Sequence, residues 1–388
     1  SDVCSSDLCF SAFFFELDSC YEGNASYIGA MNRKRFLPSF SLISLSLLAV
    51  FSGNSTAAEP VALKPEARVV LMGNGLASRM VHFNHFETEM QLRFPSHKLV
   101  IRNMADEGNT PSFRPHSGRK YQLGFPGAEA FHAPYSDGNT ADGQGHFETE
   151  EEWLTRLKPD VLLAFFGFNE SFQGKGGLEN FQAELDAFVK HTKATAYNGT
   201  AAAELILVSP TAFEDVTDRL DVPNGKKENR NLAMYAAVIE AVAHQNGVRF
   251  VDVFGPSAQW YKDSKASLTA DGALLDSAGY EKLSSYLADQ IFGGKIAHAG
   301  SRKAVHAAVK DKNWFWITDF KMPNGVHVFG RRYNPFGPAN YPFEIEKVRA
   351  MTVNRDLAIW NTLAGKTTDL VKLDAATPQL PPVPTNYK

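Results

Sequence analysis

EARVVLMGNGL, residues 66–76, decides how the rest of the chain is read. Arg68 to Met72 run apolar with no alternation and stop at Gly73-Asn74-Gly75. A strand buried on both faces has this look, because helices on each side of a sheet leave no wet face to alternate with. Behind the glycines, Leu76–Leu92 carries a helical pattern. The same unit recurs down the chain. Short apolar runs at Lys98–Arg102, Asp160–Phe166, Glu204–Val208 and Val248–Phe254 alternate with helical patterns at Gly177–Thr195, Lys226–Gln245 and Ser277–Ile291. Strand–helix repetition predicts an α/β fold: a three-layer α/β/α sandwich around a five-stranded parallel sheet. Ligands on such sheets bind beyond the carboxyl ends of the strands, so the loops after each strand are the candidate site.

Composition narrows the class. The chain has 388 residues, 44% hydrophobic and 21% charged, which excludes a disordered tail, a collagen and a small disulfide-stapled domain. A net charge of −4 gives no reason to expect a nucleic acid partner. Mean hydropathy of −0.24 excludes a polytopic membrane protein. Near the start, Asn32-Arg33-Lys34-Arg35, the apolar stretch Leu37–Phe51 and the small residues Ser55–Ala58 have the three-part form of a secretory signal peptide over 31–58. The stretch is short for a membrane span and broken by serines. Export is therefore expected, with no stable membrane span after cleavage. Residues 1–30 precede that signal and read as a non-native or over-extended segment. They hold all three cysteines, Cys4, Cys9 and Cys20, so 59–388 contains no thiolate ligand, cysteine nucleophile or CxxCH haem attachment. No cofactor is expected.

Two regions interrupt the repetition. Residues 104–148 form an insertion rich in Gly, Pro, His and aromatics, of a length usually reserved for functional or lid-like loops. From about 296 to 377 an extension is expected to pack on the 59–295 domain. In it, Arg302–Lys312 reads as a helix. The aromatic runs Asn313–Phe320 and Val326–Phe329, with Asn324-Gly325 between them, read as a hairpin. Phe343–Leu363 reads as another helix, and Pro-rich 378–388 as a linker.

Four loops carry the chemistry: Gly73-Asn74-Gly75 after the first strand, Glu107-Gly108-Asn109 after the second, Gly167-Phe168-Asn169-Glu170-Ser171 after the third, and Asp271-Gly272-Ala273-Leu274 before a helix opening Ser277-Ala278-Gly279-Tyr280. In this order they resemble the four blocks of the SGNH hydrolase (GDSL lipase/esterase) superfamily. The blocks are GDS, a glycine, GxND, and DGxHL followed by a GY helix. The resemblance covers about 66–292. It implies a flavodoxin-like sandwich and ester hydrolysis by a Ser-His-Asp triad. The nucleophile's N–H, Gly108 and Asn169 would form the oxyanion hole, and Asp271 would be the third triad member. The chemistry needs those parts, since a serine hydroxyl requires an imidazole to take its proton and the oxyanion requires preorganised donors. GNGLxxRM (73–80), FFGFNESF (165–172), SPTAFED (209–215), WFWITDF (314–320) and VFGRR (328–332) further resemble an exported planctomycete-type group of this superfamily. Longer members of that group continue into other modules.

The departures fall on the reacting half. The nucleophile position is Gly75 and the base position is Leu274. Three readings follow. In the first, the site binds a polar ligand, such as a small-molecule or polysaccharide ester, through Asn74, Asn169, Glu170 and backbone N–H groups. In the second, a substitute acts: Ser78 or Ser171 as nucleophile, Glu170 as a carboxylate activating water, or a histidine from the insertion (His116, His132, His146). In the third, the domain is structural within a larger exported protein.

Each residue has a plainer reading too. Gly73, Gly75 and Gly108 suit tight turns, Asn169 suits a helix cap, and Asp271 before glycine suits a turn. Gly-Asn-Gly is too short for a dinucleotide loop. His82 and His85 share a helix face, with no carboxylate completing a ligand pattern, and read as packed or surface histidines. His116, His132 and His146 with Asp137 and Asp142 match no ligand spacing, so no metal is expected, although loop oxygens suit calcium. Glu148–Glu152 reads as an acidic helix start, and Trp314–Trp316 as core or interface rather than a sugar platform.

Overall fold

The computed structural model describes residues 59–115, 122–132, 148–297, 301–321 and 333–382, with backbone alone at 333–340. The signal-like segment, residues 1–30, His116, His146, Asp137, Asp142 and the 326–329 run lie outside the described residues. Among the described residues no helix is long and apolar enough to cross a membrane.

The predicted sheet forms. Strands β1 (Arg68–Gly73), β2 (Val100–Asn103), β3 (Val161–Phe165), β4 (Glu204–Val208) and β5 (Arg249–Val251) pair in parallel in the order β2-β1-β3-β4-β5. Alternate residues of each strand feed two cores. Val70, Met72, Leu162, Ala164, Leu205 and Leu207 face one core, with Phe181, Phe188, Tyr235 and Ile239 from α5 (Leu178–Ala194) and α6 (Lys226–Asn246). Val69, Leu71, Leu163, Ile206 and Val208 face the other, with Tyr280, Leu283 and Leu287 of α8 (Ser277–Ile291). Burial on both sides explains the unbroken apolar runs.

The first predicted helix is three short ones: α1 (Gly75–Ser78), α2 (Met80–Phe83) and α3 (His85–Arg93). The break before α3 is Asn84, at φ +62°, a left-handed conformation that asparagine tolerates better than most residues. Helix α4 (Glu150–Leu157) starts with a capping box between Thr149 and Glu152, which accounts for the acidic run. Helix α7 (Phe254–Asp263) follows β5.

The extension is helical, and here the sequence reading needs correction. Arg302–Phe320 is one continuous helix, α9, so Asn313–Phe320 is not a hairpin strand. Val309, Asn313, Trp316 and Phe320 recur every three or four residues and are all buried, so helical spacing outweighs the β-propensity of the aromatics. Helices α10 (Tyr333–Leu363) and α11 (Leu370–Ala375) complete the chain.

The extension covers an edge of the sheet. At and just before β2, the carbonyls of Leu99, Ile101 and Asn103 point away from β1. Trp360 Nε1 donates to Leu99 O at 3.2 Å, Lys312 Nζ to Ile101 O at 3.0 Å and Trp316 Nε1 to Asn103 O at 2.7 Å. An edge strand with open acceptors invites pairing with another chain, and these side chains close it. Two buried ion pairs fasten the same seam, Arg102 with Asp356 and Lys312 with Glu87 at 2.6 Å. Burial pushes Lys312 down and Glu87 up, each toward neutrality.

Candidate functional site

The site lies where strand order reverses, between the carboxyl ends of β1 and β3. Gly73 is required there. It sits at φ +124°, and a Cβ on it would lie 2.1 Å from Phe165 O of β3. Asn74 follows, 1% exposed, with its N–H on Phe165 O at 2.9 Å and its Nδ2 without a partner. Gly75 then opens α1. Its φ is outside the left-handed region, and nothing lies within 4 Å of where a Cβ would be. Both the backbone and the surrounding space would therefore accept a side chain at position 75.

Blocks two and three are joined by Asn169. Its Nδ2 donates to Glu107 O at 2.7 Å and Asn109 O at 3.2 Å, so both amide hydrogens hold the 107–109 loop. Gly108 in that loop packs against Pro115, whose Cγ would be 2.6 Å from a Cβ. Glu170, on the same turn as Asn169, points inward. It is 4% exposed, and its Oε2 accepts the Gly167 N–H at 2.8 Å while Oε1 has no partner. Burial, with Glu184 adding repulsion, pushes its carboxyl up to about 8, so it is protonated at neutral pH.

That position makes Glu170 a stability liability whose sign is fixed. A carboxyl raised from 4.5 when folded disfavours the native state as pH climbs through 4.5 to 8, then levels off. Glu170→Gln, which keeps an oxygen for Gly167, is expected to stabilise the protein by on the order of 3 kcal/mol at pH 7. Thermal melts of the two proteins should coincide near pH 4 and separate by about 5 °C by pH 8. Equal melting temperatures at pH 8 would show that Glu170 is not held neutral.

In block four, Asp271 Oδ1 accepts from the Ala273 and Leu274 N–H groups at 3.0 and 2.8 Å, the turn geometry its sequence suggests. The loop is held by Glu214, which lies in the SPTAFED stretch but is not among the site residues expected from the sequence. Its buried carboxylate takes the Thr269 N–H at 2.9 Å, Thr269 Oγ1 at 2.6 Å and Ser267 Oγ at 2.8 Å, while its own N–H donates to Gly272 O. Leu274 is half-buried beside Asp271.

The structure places the substitute candidates as follows. Ser78 is fully buried, donates to Glu107 Oε1 at 2.9 Å and accepts from Lys321 Nζ at 3.0 Å. Lys321, from just beyond α9, also meets Asp106 Oδ1 at 3.0 Å, which brings the extension into the site. Burial and a hydrogen bond to Glu107 raise Asp106. For Glu107, burial acts upward, but Asp106 and Lys321 outweigh it and hold the carboxyl down to about 2. Ser171 is buried and donates to Phe168 O at 2.7 Å. His132 stacks on Phe113 and lies 3.8 Å from Glu184, whose carboxylate holds Thr110 and Ser112. His82 is exposed beside Lys321 and Glu107, its pKa lowered by partial burial and then by Lys321. His85 meets Ser277 on α8 at 3.0 Å. Among the described residues no group of three or more His, Cys, Asp or Glu side chains is placed to hold a metal ion.

Residues 107–282 match the model of the GDSL-like lipase/acylhydrolase family, a match that begins after the Gly73-Asn74-Gly75 turn. The solved structures it resembles include a GDSL-like lipase from Parabacteroides merdae (16% identity, TM-score 0.42, 60% of this chain and 98% of that one). Another is a catalytic mutant of an acetylxylan esterase from Geobacillus stearothermophilus (15%, TM-score 0.41, 60% and 98%). A third is a gut microbial diltiazem-metabolizing enzyme (17%, TM-score 0.41), of which the chain covers 47% while 59% of this chain is matched. No curated protein matches. The domain is an α/β sandwich around a five-stranded parallel sheet, with the four loops at the carboxyl ends of its strands. Over residues 107–282 the chain is similar to the GDSL-like lipase/acylhydrolase family.

Proposed function

We propose that this chain is an exported member of the esterase lineage that holds an acylated or related carbohydrate at the strand ends without cleaving it by the acyl-enzyme route. Gly75 carries the reading: it leaves open space where the nucleophile would stand. The hydroxyl one turn on, Ser78, is sealed between Glu107 and Lys321. Its ammonium neighbour is paired with carboxylates and is no base for a serine. Asn169 serves better as a clamp between loops than as an oxyanion donor, because both its hydrogens are engaged. Kinship with esterases supports an ester or sugar ligand over other classes, and the N-terminal sequence supports export.

Purified 59–388, offered an activated acetyl ester and an acetylated polysaccharide, should release acetate at the rate of buffer alone, with Asn169→Ala unchanged from it. Turnover that Asn169→Ala abolishes would restore the enzyme reading and direct attention to Ser78, Glu170 and the insertion histidines.

A further inference from the structure

A cleft of about 110 Å³ opens between the turn after β3 and the first turns of α6. Phe168, Phe172 and Phe213 supply its apolar wall, and Lys227, Glu228 and Asn231 its polar one. It borders Ala273 of block four, so it is continuous with the site. We infer that this cleft is a sugar subsite, in which one pyranose ring of an uncharged glycan lies on Phe172 with its hydroxyls toward Lys227, Glu228 and Asn231. The inference rests on the binding reading above and adds where the ligand sits and of what class it is.

Phe172 is 74% exposed, a large apolar surface that folding leaves uncovered. It stands perpendicular to Phe168 at 5.5 Å between ring centres, which holds its orientation. The Phe213 part of the apolar wall is built rigidly. Asn229 clamps the Phe213 backbone, accepting from its N–H at 2.7 Å and donating to its O at 2.8 Å. Gly272 at φ +94° and Gly225 at φ +75° let the Phe213 ring approach so closely that a Cβ would lie 2.2 and 2.9 Å from it. Tyr235 Oη donates to Gly174 O at 3.0 Å and ties the Phe172 turn to α6. A preformed site lowers the ordering cost of binding.

The polar wall selects the ligand. It offers a cation, an anion and an amide side by side, hence donors and acceptors with no net charge. An acyl chain would leave all three unused, and a carboxylate or sulfate would meet Glu228. A sugar ring uses donors and acceptors alike and presents a C–H face to an aromatic. The volume suits one ring partly inserted, since a closed cavity of roughly 150 Å³ takes up benzene.

The test is saturation-transfer NMR on 59–388 with xylotriose, cellotriose and mannotriose, and with sodium butyrate and sodium glucuronate for comparison. The expected result is transfer to ring protons of at least one trisaccharide, with affinity lowered at least about tenfold in Phe172→Ala and several-fold in Asn231→Ala. Phe172→Ala should melt with the native protein, because the side chain is largely outside the core. Three results overturn the cleft: no trisaccharide bound, trisaccharide binding untouched by both substitutions, or saturation by butyrate or glucuronate instead. The second of these leaves the binding reading intact, whereas ester turnover in the assay above overturns that reading whatever the cleft does.

Discussion

Gly75→Ser combined with Leu274→His is expected to give the protein esterase activity that neither substitution gives alone. The first is permitted by the backbone: Gly75 is outside the left-handed region and a Cβ there meets nothing within 4 Å. The second puts an imidazole on a half-buried position whose N–H is already fixed by Asp271 Oδ1. Asp271 is thereby at hand to orient the ring, as the third member of a triad must. The rate on an activated acetyl ester should rise about 10²-fold over the native protein. It should not approach a complete esterase, because the Asn169 amide is tied to the Glu107 and Asn109 carbonyls, and a missing oxyanion donor costs about 10²–10³ in rate. Mass spectrometry of the double variant should find an acetyl adduct on residue 75. A folded double variant without adduct would show that the two loops stand too far apart for proton transfer.

Lys312→Met is expected to destabilise the protein by about 3–5 kcal/mol near neutral pH. Lys312 is wholly buried, and its ammonium meets Glu87 Oε2 at 2.6 Å, Asn313 Oδ1 at 2.6 Å and Ile101 O at 3.0 Å. Removing it strands a carboxylate that burial already pushes upward. The loss should therefore depend on pH in one direction. The penalty operates above the unfolded carboxylate's pKa, about 4.3, and shrinks as pH falls toward it. Adding Glu87→Gln should return much of the stability, since a pair replaced together leaves no buried charge. Denaturant titrations at pH 5 and 8 check this. Equal losses at both values would mean that Glu87 finds another partner.

The sheet was legible because its strands are buried on both faces, as in VLLAF of β3 and ELILV of β4. Their length of five residues, with Pro159-Asp160 before β3 and Ser209-Pro210 after β4, sets them apart from a buried helix. The Trp314–Phe320 run misled because three aromatics in five residues favour a strand by propensity. Only the partners of Val309, Trp316 and Phe320 reveal the helical stripe. At the site, the residues at the loop positions could be read from the sequence, but not the direction of their hydrogens. That Asn169 faces the 107–109 carbonyls, that Glu170 turns inward, and that Lys321 arrives from the far end of the chain are contacts between loops distant in sequence. Glu214 is hidden for the same reason: all its partners in block four lie more than fifty residues away.

The way α9 lies along β2 has a consequence for how the protein can change in length. Lys312 and Trp316 are one helical turn apart, a rise of about 6 Å, and they address carbonyls two strand residues apart, about 6.6 Å. The two periods are nearly commensurate for this pair, and Lys321, just past the end of α9, reaches Asp106 in the loop that follows the strand. The helix is thus a ruler laid against the strand and the site loop together. One residue inserted between 312 and 321 would rotate everything beyond it by about 100° and break the later matches at once. Growth or shortening is admissible before Arg302, ahead of the first graduation, so descendants of this chain should vary there and hold their spacing from 312 to 321.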